Sequence, residues 1–83
     1  MIKEHSITTI IDIQYLFEYI RDLGLDYNEY EEYRLMLLED INNKNELPDF
    51  QESIRKVLNA LILNISDISK QNKVKNFIEN KAI

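Results

Sequence analysis

Residues 9–25, TIIDIQYLFEYIRDLGL, carry the signals of a complete amphipathic helix with both ends marked. Thr9 and Asp12 form a T-x-x-D capping pattern at its start. Gly24 stands where a helix often ends on a left-handed residue, and Leu25 can then fold back on the last turn. This stretch predicts a helix over residues 9–23. Its apolar residues recur every three or four positions and share one face: Ile10, Ile13, Leu16, Phe17, Ile20 and Leu23.

Three more helices are predicted downstream, over residues 27–42, 50–66 and 70–80. Asp26 and Asp49 are the expected N-caps of the second and third helices. The inward-facing residues of the second are Tyr27, Tyr30, Tyr33, Leu37, Leu38 and Ile41, and those of the third are Phe50, Ile54, Val57, Leu58, Leu61, Ile65 and Ile68.

The third stripe loses its helical phase near residues 66–69, where Ser69 is the expected cap of a short fourth helix carrying Val74, Phe77 and Ile78. A bent continuation of the third helix is the alternative. Together the segments predict an all-α protein, a small antiparallel four-helix bundle with a single domain over residues 1–83.

Arg34 falls in the middle of the second apolar stripe. We interpret it as a long stem lying along the core with its head reaching water or an acid. The functional alternative is a buried arginine that contacts a carboxylate of a partner.

The composition excludes several kinds of chemistry. The 83 residues include no cysteine and one glycine, which rules out disulfides, thiolate zinc sites and glycine-rich phosphate loops. The one histidine, His5, is expected on a frayed N-terminus. The acidic residues expected on the solvent side of the second helix lack the inward E-x-x-H pattern of a helical metal site: Glu29, Glu31, Glu32, Glu39 and Asp40. We therefore expect no catalysis, no cofactor and no metal.

Charge divides the chain into two halves. Residues 1–49 hold twelve acids and four bases, a formal charge of −8, and residues 50–83 hold three acids and six bases, +3. The acidic front argues against a nucleic-acid partner, whereas the basic end suits an anionic membrane surface or an acidic protein. The N-terminus lacks a signal-peptide pattern, and no apolar run is longer than that of residues 60–63, which is far too short for a membrane span. These features predict a cytoplasmic protein.

A second, weaker apolar face comprises Ile11, Tyr15 and Tyr19 on the first helix, with Met36 and Leu63 displaced from the later stripes. In a small bundle such residues can complete the rim of the core. Tyrosines are also enriched where proteins meet, so Tyr15 and Tyr19 are candidate partner-binding residues. Self-association into a homodimer is a competing use of the same face.

The organisation from Tyr30 to Phe77 resembles the immunity proteins of class II bacteriocins, of the enterocin A immunity type. The resembling features are the helix YEEYRLMLLEDI, the loop NNKNELPDF, the amphipathic helix ESIRKVLNALILNI, and a shorter last helix after a serine-containing break. The overall acidity departs from the basic character of many members of that family.

The resemblance implies a cytoplasmic four-helix bundle that protects a producer cell from its own pore-forming peptide. Such a protein acts on a membrane-receptor complex from the inner face of the membrane. It discriminates its partner through its C-terminal half, which implies binding roles here for Lys70, Lys73, Lys75, Phe77 and Lys81.

The rival hypothesis is a phage- or mobile-element-encoded inhibitor or antitoxin that binds a basic protein surface through the acidic front.

Overall fold

Four α-helices and one 3₁₀ helix make up the regular structure of the chain in the computed structural model, which describes residues 5–46 and 48–80. The described residues contain no β-strand, so the predicted all-α class is confirmed. The elements in chain order are α1 (Ile10–Asp22), a 3₁₀ helix (Tyr27–Tyr30), α2 (Glu31–Asn42), α3 (Phe50–Leu63) and α4 (Ile68–Asn80).

The helices form a four-membered ring in which α1 and α3 each pack against both α2 and α4. Two contacts show that α1 and α4 run antiparallel. Ser6, before α1, donates its backbone N–H to the carbonyl oxygen of Ile78 at 3.2 Å. At the opposite end, the Lys70 Nζ lies 3.7 Å from where a Cβ would stand on Gly24. The buried core fills the ring: Ile7, Ile13, Leu16, Phe17, Ile20, Tyr30, Leu37, Ile41, Ile54, Leu58, Leu61, Ile62, Ile65, Val74 and Ile78.

Both predicted ends of α1 are confirmed. At the start, the Asp12 N–H donates to the Thr9 Oγ1 at 3.2 Å, and the Thr9 N–H donates to the Asp12 carboxylate at 3.0 Å. These two bonds form a capping box. At the end, Gly24 adopts a φ of 82°, and the Leu25 N–H reaches back to the Ile20 carbonyl at 3.3 Å. This left-handed residue and the six-to-one hydrogen bond are the features of a Schellman motif.

The predicted second helix is divided. Asp26 caps the 3₁₀ helix, because its Oδ1 accepts the Asn28 N–H at 3.0 Å. The α-helix proper begins only at Glu31. The core assignment of Tyr27 is wrong: it is 37% exposed, with its ring edge-on to Phe17 at a centroid distance of 6.0 Å.

The break between α3 and α4 is real, and it comes earlier than predicted. Helix α3 ends at Leu63, where the Gln71 Nε2 donates to the Ile62 carbonyl at 2.9 Å and closes its last turn. Asp67, rather than Ser69, caps α4 by accepting the Lys70 N–H at 3.2 Å. Ile68 is consequently the first residue of α4 and is 67% exposed, so the prediction that it faces the core is wrong.

Two further expectations at helix starts need correction. Asp49 occupies the N-cap position of α3 but its side chain makes no capping hydrogen bond. The segment before α1 is not frayed at the residues described, since Ile7 is fully buried and the Ser6 hydroxyl donates to the Ile78 carbonyl at 2.9 Å. His5 also bonds the Gln51 carbonyl through its Nε2 at 3.1 Å. An isolated isoleucine outside any helix therefore closes one end of the core.

Candidate interaction surfaces on either side of α1

Three predicted partner-binding residues come together where α1 meets α4. The rings of Tyr19 and Phe77 stack with centroids 4.7 Å apart and planes inclined by 13°. Tyr15 lies one helical turn before Tyr19 and is 52% exposed. We call these three residues the aromatic ridge. An open groove of about 360 Å³ runs along it and is also lined by Glu18 and Asp22.

The stacked pair has a structural role in addition to its predicted role in partner binding. Tyr19 and Phe77 are both half-buried, so much of each ring already holds α1 against α4. Tyr15 is the member of the ridge that presents most of its surface to solvent. The ridge is thus a rigid pair of rings beside one prominent tyrosine.

The structure separates the predicted lysines from one another. Lys70 is half-buried with its ammonium beside Gly24, at the C-terminal end of α1, where a cation is favoured by the helix dipole. Lys73 is exposed and stands one turn before Phe77 on the same side of α4. Lys75 lies about 200° around the helix from Phe77, away from the ridge. Lys81 lies outside the described residues.

Arg34 contacts an acid on its own helix. This agrees with the interpretation that its stem lies along the core while its head reaches water or an acid. Its Nε donates to the Glu31 Oε2 at 2.9 Å, and its Nη2 donates to the Glu31 Oε1. These hydrogen bonds lower the pKa of the Glu31 carboxyl and raise the pKa of Arg34. Both oxygens of the Glu31 carboxylate are therefore already hydrogen-bonded to a residue of the same helix.

The remaining candidate acids on α2 and the 3₁₀ helix have different surroundings. Asp40 accepts a hydrogen bond from the Ser53 hydroxyl of α3 at 2.8 Å, which joins the two helices. Glu29, Glu32 and Glu39 are exposed. Three of the five candidate acids of the predicted second helix therefore face solvent.

A second groove, of about 660 Å³, lies on the other side of α1, between it and the 3₁₀ helix and α2. Ile10 belongs to the apolar stripe predicted to face the core, but it is 43% exposed because neither neighbouring element covers it. The feature of the sequence that could have indicated this groove is Arg34, a charged residue in the middle of an apolar stripe. The lining residues are Ile10, Ile13, Gln14, Phe17, Glu18, Arg21, Tyr27, Arg34 and Leu38, and we call this surface the α1–α2 groove.

Over residues 5–46 and 48–80, no three histidine, aspartate or glutamate side chains are grouped so that they could hold a metal ion. None of the helices in the same part of the chain has the length and apolar character needed to cross a membrane. No protein-family model, curated protein or solved structure matches this chain. The two surfaces beside α1 and the exposed charges are therefore the features of the molecule that bear on its function.

Proposed function

We propose that this protein is a non-catalytic interaction module that protects a producer cell from a pore-forming peptide, as class II bacteriocin immunity proteins do. The observation that carries the proposal is the aromatic ridge, in which Tyr15 and Tyr19 of α1 lie beside Phe77 of the basic last helix. In this proposal the protein acts in the cytoplasm, at the inner face of the membrane, on a receptor complex that the peptide has engaged.

The chemistry of the ridge supports protein binding. Tyrosine combines a large apolar ring with a hydrogen-bonding tip, and aromatic residues contribute a large share of binding energy at interfaces. The stacked pair is already ordered by its contact across two helices, so little side-chain entropy would be lost when a partner binds. Lys73 adds an exposed cation on the same side of α4, suited to an acidic or membrane-proximal partner.

A protection assay tests this proposal. The chain is expressed in a bacterium sensitive to class II bacteriocins, which is challenged with a panel of these peptides and compared with an empty-vector strain. We expect selective protection against one or two peptides, with loss of protection in Tyr15→Ala and Lys73→Glu. Lys56→Glu, which changes an exposed lysine on α3, is the matched control and keeps protection. Absence of protection across the panel, with folded protein present in the cells, contradicts the proposal.

The rival function, inhibition of a basic protein surface, is supported by the exposure of Glu29, Glu32 and Glu39. A triple variant that changes these residues to lysine separates the two functions. Under the immunity proposal it protects as well as the unmodified chain. Under the inhibitor hypothesis it loses its target, while Tyr15→Ala and Lys73→Glu retain theirs.

A further inference from the structure

We infer that residues 5–9 form a pH-sensitive strap: the neutral imidazole of His5 holds Ile7 in one end of the core, and protonation of the ring releases it. We call these residues the N-terminal strap. The inference is independent of the immunity proposal, because it concerns how the bundle is closed and involves neither the aromatic ridge nor the exposed lysines.

The N-terminal strap precedes α1 and is held by hydrogen bonds of its own. The backbone N–H groups of residues 6–9 are all bonded. Those of residues 8 and 9 each donate to the Asp12 carboxylate at 3.0 Å. That of Ile7 donates to the His5 Nδ1 at 3.2 Å. The Ile7 N–H therefore depends on the imidazole of the residue two positions earlier.

The two ring nitrogens of His5 have opposite roles. A backbone N–H can only donate, so the Nδ1 that faces Ile7 is an unprotonated acceptor. A backbone carbonyl can only accept, so the Nε2, 3.1 Å from the Gln51 oxygen, carries the hydrogen. Only the neutral ring with its hydrogen on Nε2 makes both bonds. The imidazolium has an N–H at each position and cannot accept from Ile7.

Protonation removes one of these bonds and strengthens the other, and burial decides which change is larger. The bond from His5 to Gln51 is exposed, so water competes for both of its groups in either protonation state. The bond from Ile7 to His5 is partly buried, and the Ile7 side chain is fully buried. A buried donor that loses its acceptor is costly, whereas an exposed charge-assisted bond adds little. The imidazolium therefore favours an open strap.

The direction of the pH dependence follows from this difference. The open strap binds one more proton than the closed strap, so closure is favoured as the pH rises and is lost as the pH falls. Histidine is the side chain that ordinarily changes charge between about pH 5 and about pH 8. The transition is therefore expected in mild acid, above the range in which most carboxylates titrate.

The surroundings of the ring leave its two hydrogen bonds as the contacts that respond to its charge. Over residues 5–46 and 48–80 the imidazole makes no ion pair. The charged residues nearest along the elements around the strap are Asp12 on α1, Asp49, Glu52 and Arg55 at the start of α3, and Lys75 and Glu79 on α4. Two of these, Glu52 and Arg55, are hydrogen-bonded to each other.

Release of the strap opens one end of the bundle. Ile7 lies where the starts of α1 and α3 meet the end of α4, because its neighbours bond the Gln51 and Ile78 carbonyls. Its side chain is fully buried among the other core residues. When Ile7 withdraws, the apolar side chains beneath it become accessible while the four helices stay packed.

Amide hydrogen exchange of the full chain, followed by NMR at about pH 7 and about pH 5, tests the inference. Protection factors are compared, since they remove the intrinsic pH dependence of exchange. We expect the Ser6 and Ile7 amides to lose at least about tenfold in protection at the lower pH. Leu58, buried in the middle of α3, should keep its protection. Ser6 is the decisive position, because its acceptor, the Ile78 carbonyl, does not titrate.

The ring itself provides a second readout. His5 is the one histidine of the chain, so its imidazole signals are identified without further assignment. Its ¹⁵N chemical shifts at about pH 7 should place the hydrogen on Nε2. A ring with its hydrogen on Nδ1 would overturn the inference.

Two substitutions of His5 form a matched pair. His5→Asn supplies a side-chain oxygen that can accept the N–H two residues on but does not titrate, so Ser6 should stay protected at both pH values. His5→Ala supplies no acceptor, so protection of Ser6 should be low and equal at both. A Ser6 amide equally protected at both pH values in the unmodified chain contradicts the inference. So does a pH-dependent loss that persists in either variant, or one that Leu58 shares.

Discussion

The two sides of α1 show how one helix can stack directly on one neighbour and leave a wider groove against another. Toward α4, Tyr19 meets Phe77, and the two flat rings stack at 4.7 Å. Toward α2, the neighbour at the groove is Arg34, whose guanidinium is held by Glu31 rather than buried. Removing a guanidinium from water is unfavourable, whereas covering a ring is favourable. The aromatic side therefore packs ring against ring above a smaller groove of about 360 Å³, and the arginine side leaves the larger groove of about 660 Å³.

The largest expected effect concerns the floor of the groove. Phe17 is 1% exposed, so Phe17→Ala should lower the free energy of unfolding by about 3–5 kcal/mol, measured by urea denaturation followed by circular dichroism. Tyr15→Ala, on the opposite side of α1, should change it by no more than about 0.5 kcal/mol. Similar effects of the two substitutions would mean that the two sides do not differ in burial.

Gly24 affects both sides, because it ends the helix that they share. Its φ of 82° is strained for any residue with a Cβ, so Gly24→Ala should destabilise the protein by about 1–2 kcal/mol in the same assay. The nearest heavy atom to the added Cβ would be the flexible Lys70 Nζ at 3.7 Å, so the effect comes from the backbone rather than from a clash. Gly24→Asn, which tolerates this conformation better, should recover part of the loss. An alanine variant as stable as the unmodified chain would contradict this assignment of the helix end.

The stacked rings should be energetically coupled. A double-mutant cycle that combines Tyr19→Leu with Phe77→Leu should give a coupling free energy of about 0.5–1.5 kcal/mol. The control cycle pairs Tyr19→Leu with Tyr27→Leu. These residues lie on opposite sides of α1, so their effects should add within about 0.5 kcal/mol. Coupling in the control but not in the stacked pair would reverse the comparison between the two sides.

The smallest effect is a dependence on pH at the Glu31–Arg34 pair. The pKa of Glu31 is lowered from an ordinary 4.5 in the folded protein by its hydrogen bonds from Arg34. The pair therefore contributes stability above about pH 4.5 and loses it as the pH falls through the lowered value. Thermal unfolding from about pH 6 to about pH 3 should show a slightly shallower decline in Glu31→Gln than in the unmodified chain.

Glu52→Gln is the matched substitution on α3, where hydrogen bonds from Arg55 lower the pKa of Glu52 in the same direction. It should reduce the slope by a similar amount while leaving the groove unaltered. A steeper decline in either variant would contradict the sign of these shifts.

The sequence was most informative where the deciding contacts are short in range. The capping box of Thr9 and Asp12 and the turn at Gly24 involve residues within about one or two helical turns, so both ends of α1 could be read from spacing alone. The bundle class followed from the four apolar stripes. The pairing of Arg34 with an acid was also foreseeable, because residues three apart on a helix lie on neighbouring positions of its surface.

Other features depended on contacts between distant parts of the chain. Asp67 and Ser69 are both suitable caps, and the choice followed from where α3 stops and Gln71 closes its last turn. Nothing in the local sequence distinguishes Ile7 from an ordinary terminal residue. Its burial is accompanied by the bonds that tie the neighbouring Ser6 to Ile78 of the last helix.

Residue spacing was thus enough to predict four helical segments and most of the residues in each that could face a core, because those properties repeat with the period of a single helix. Which helix lies beside which depends instead on how the segments pack together. That arrangement placed Phe77 rather than Arg34 against Tyr19 and left Ile10 uncovered in the α1–α2 groove. The aromatic ridge and the α1–α2 groove exist because side chains far apart in the chain meet only after the bundle has formed.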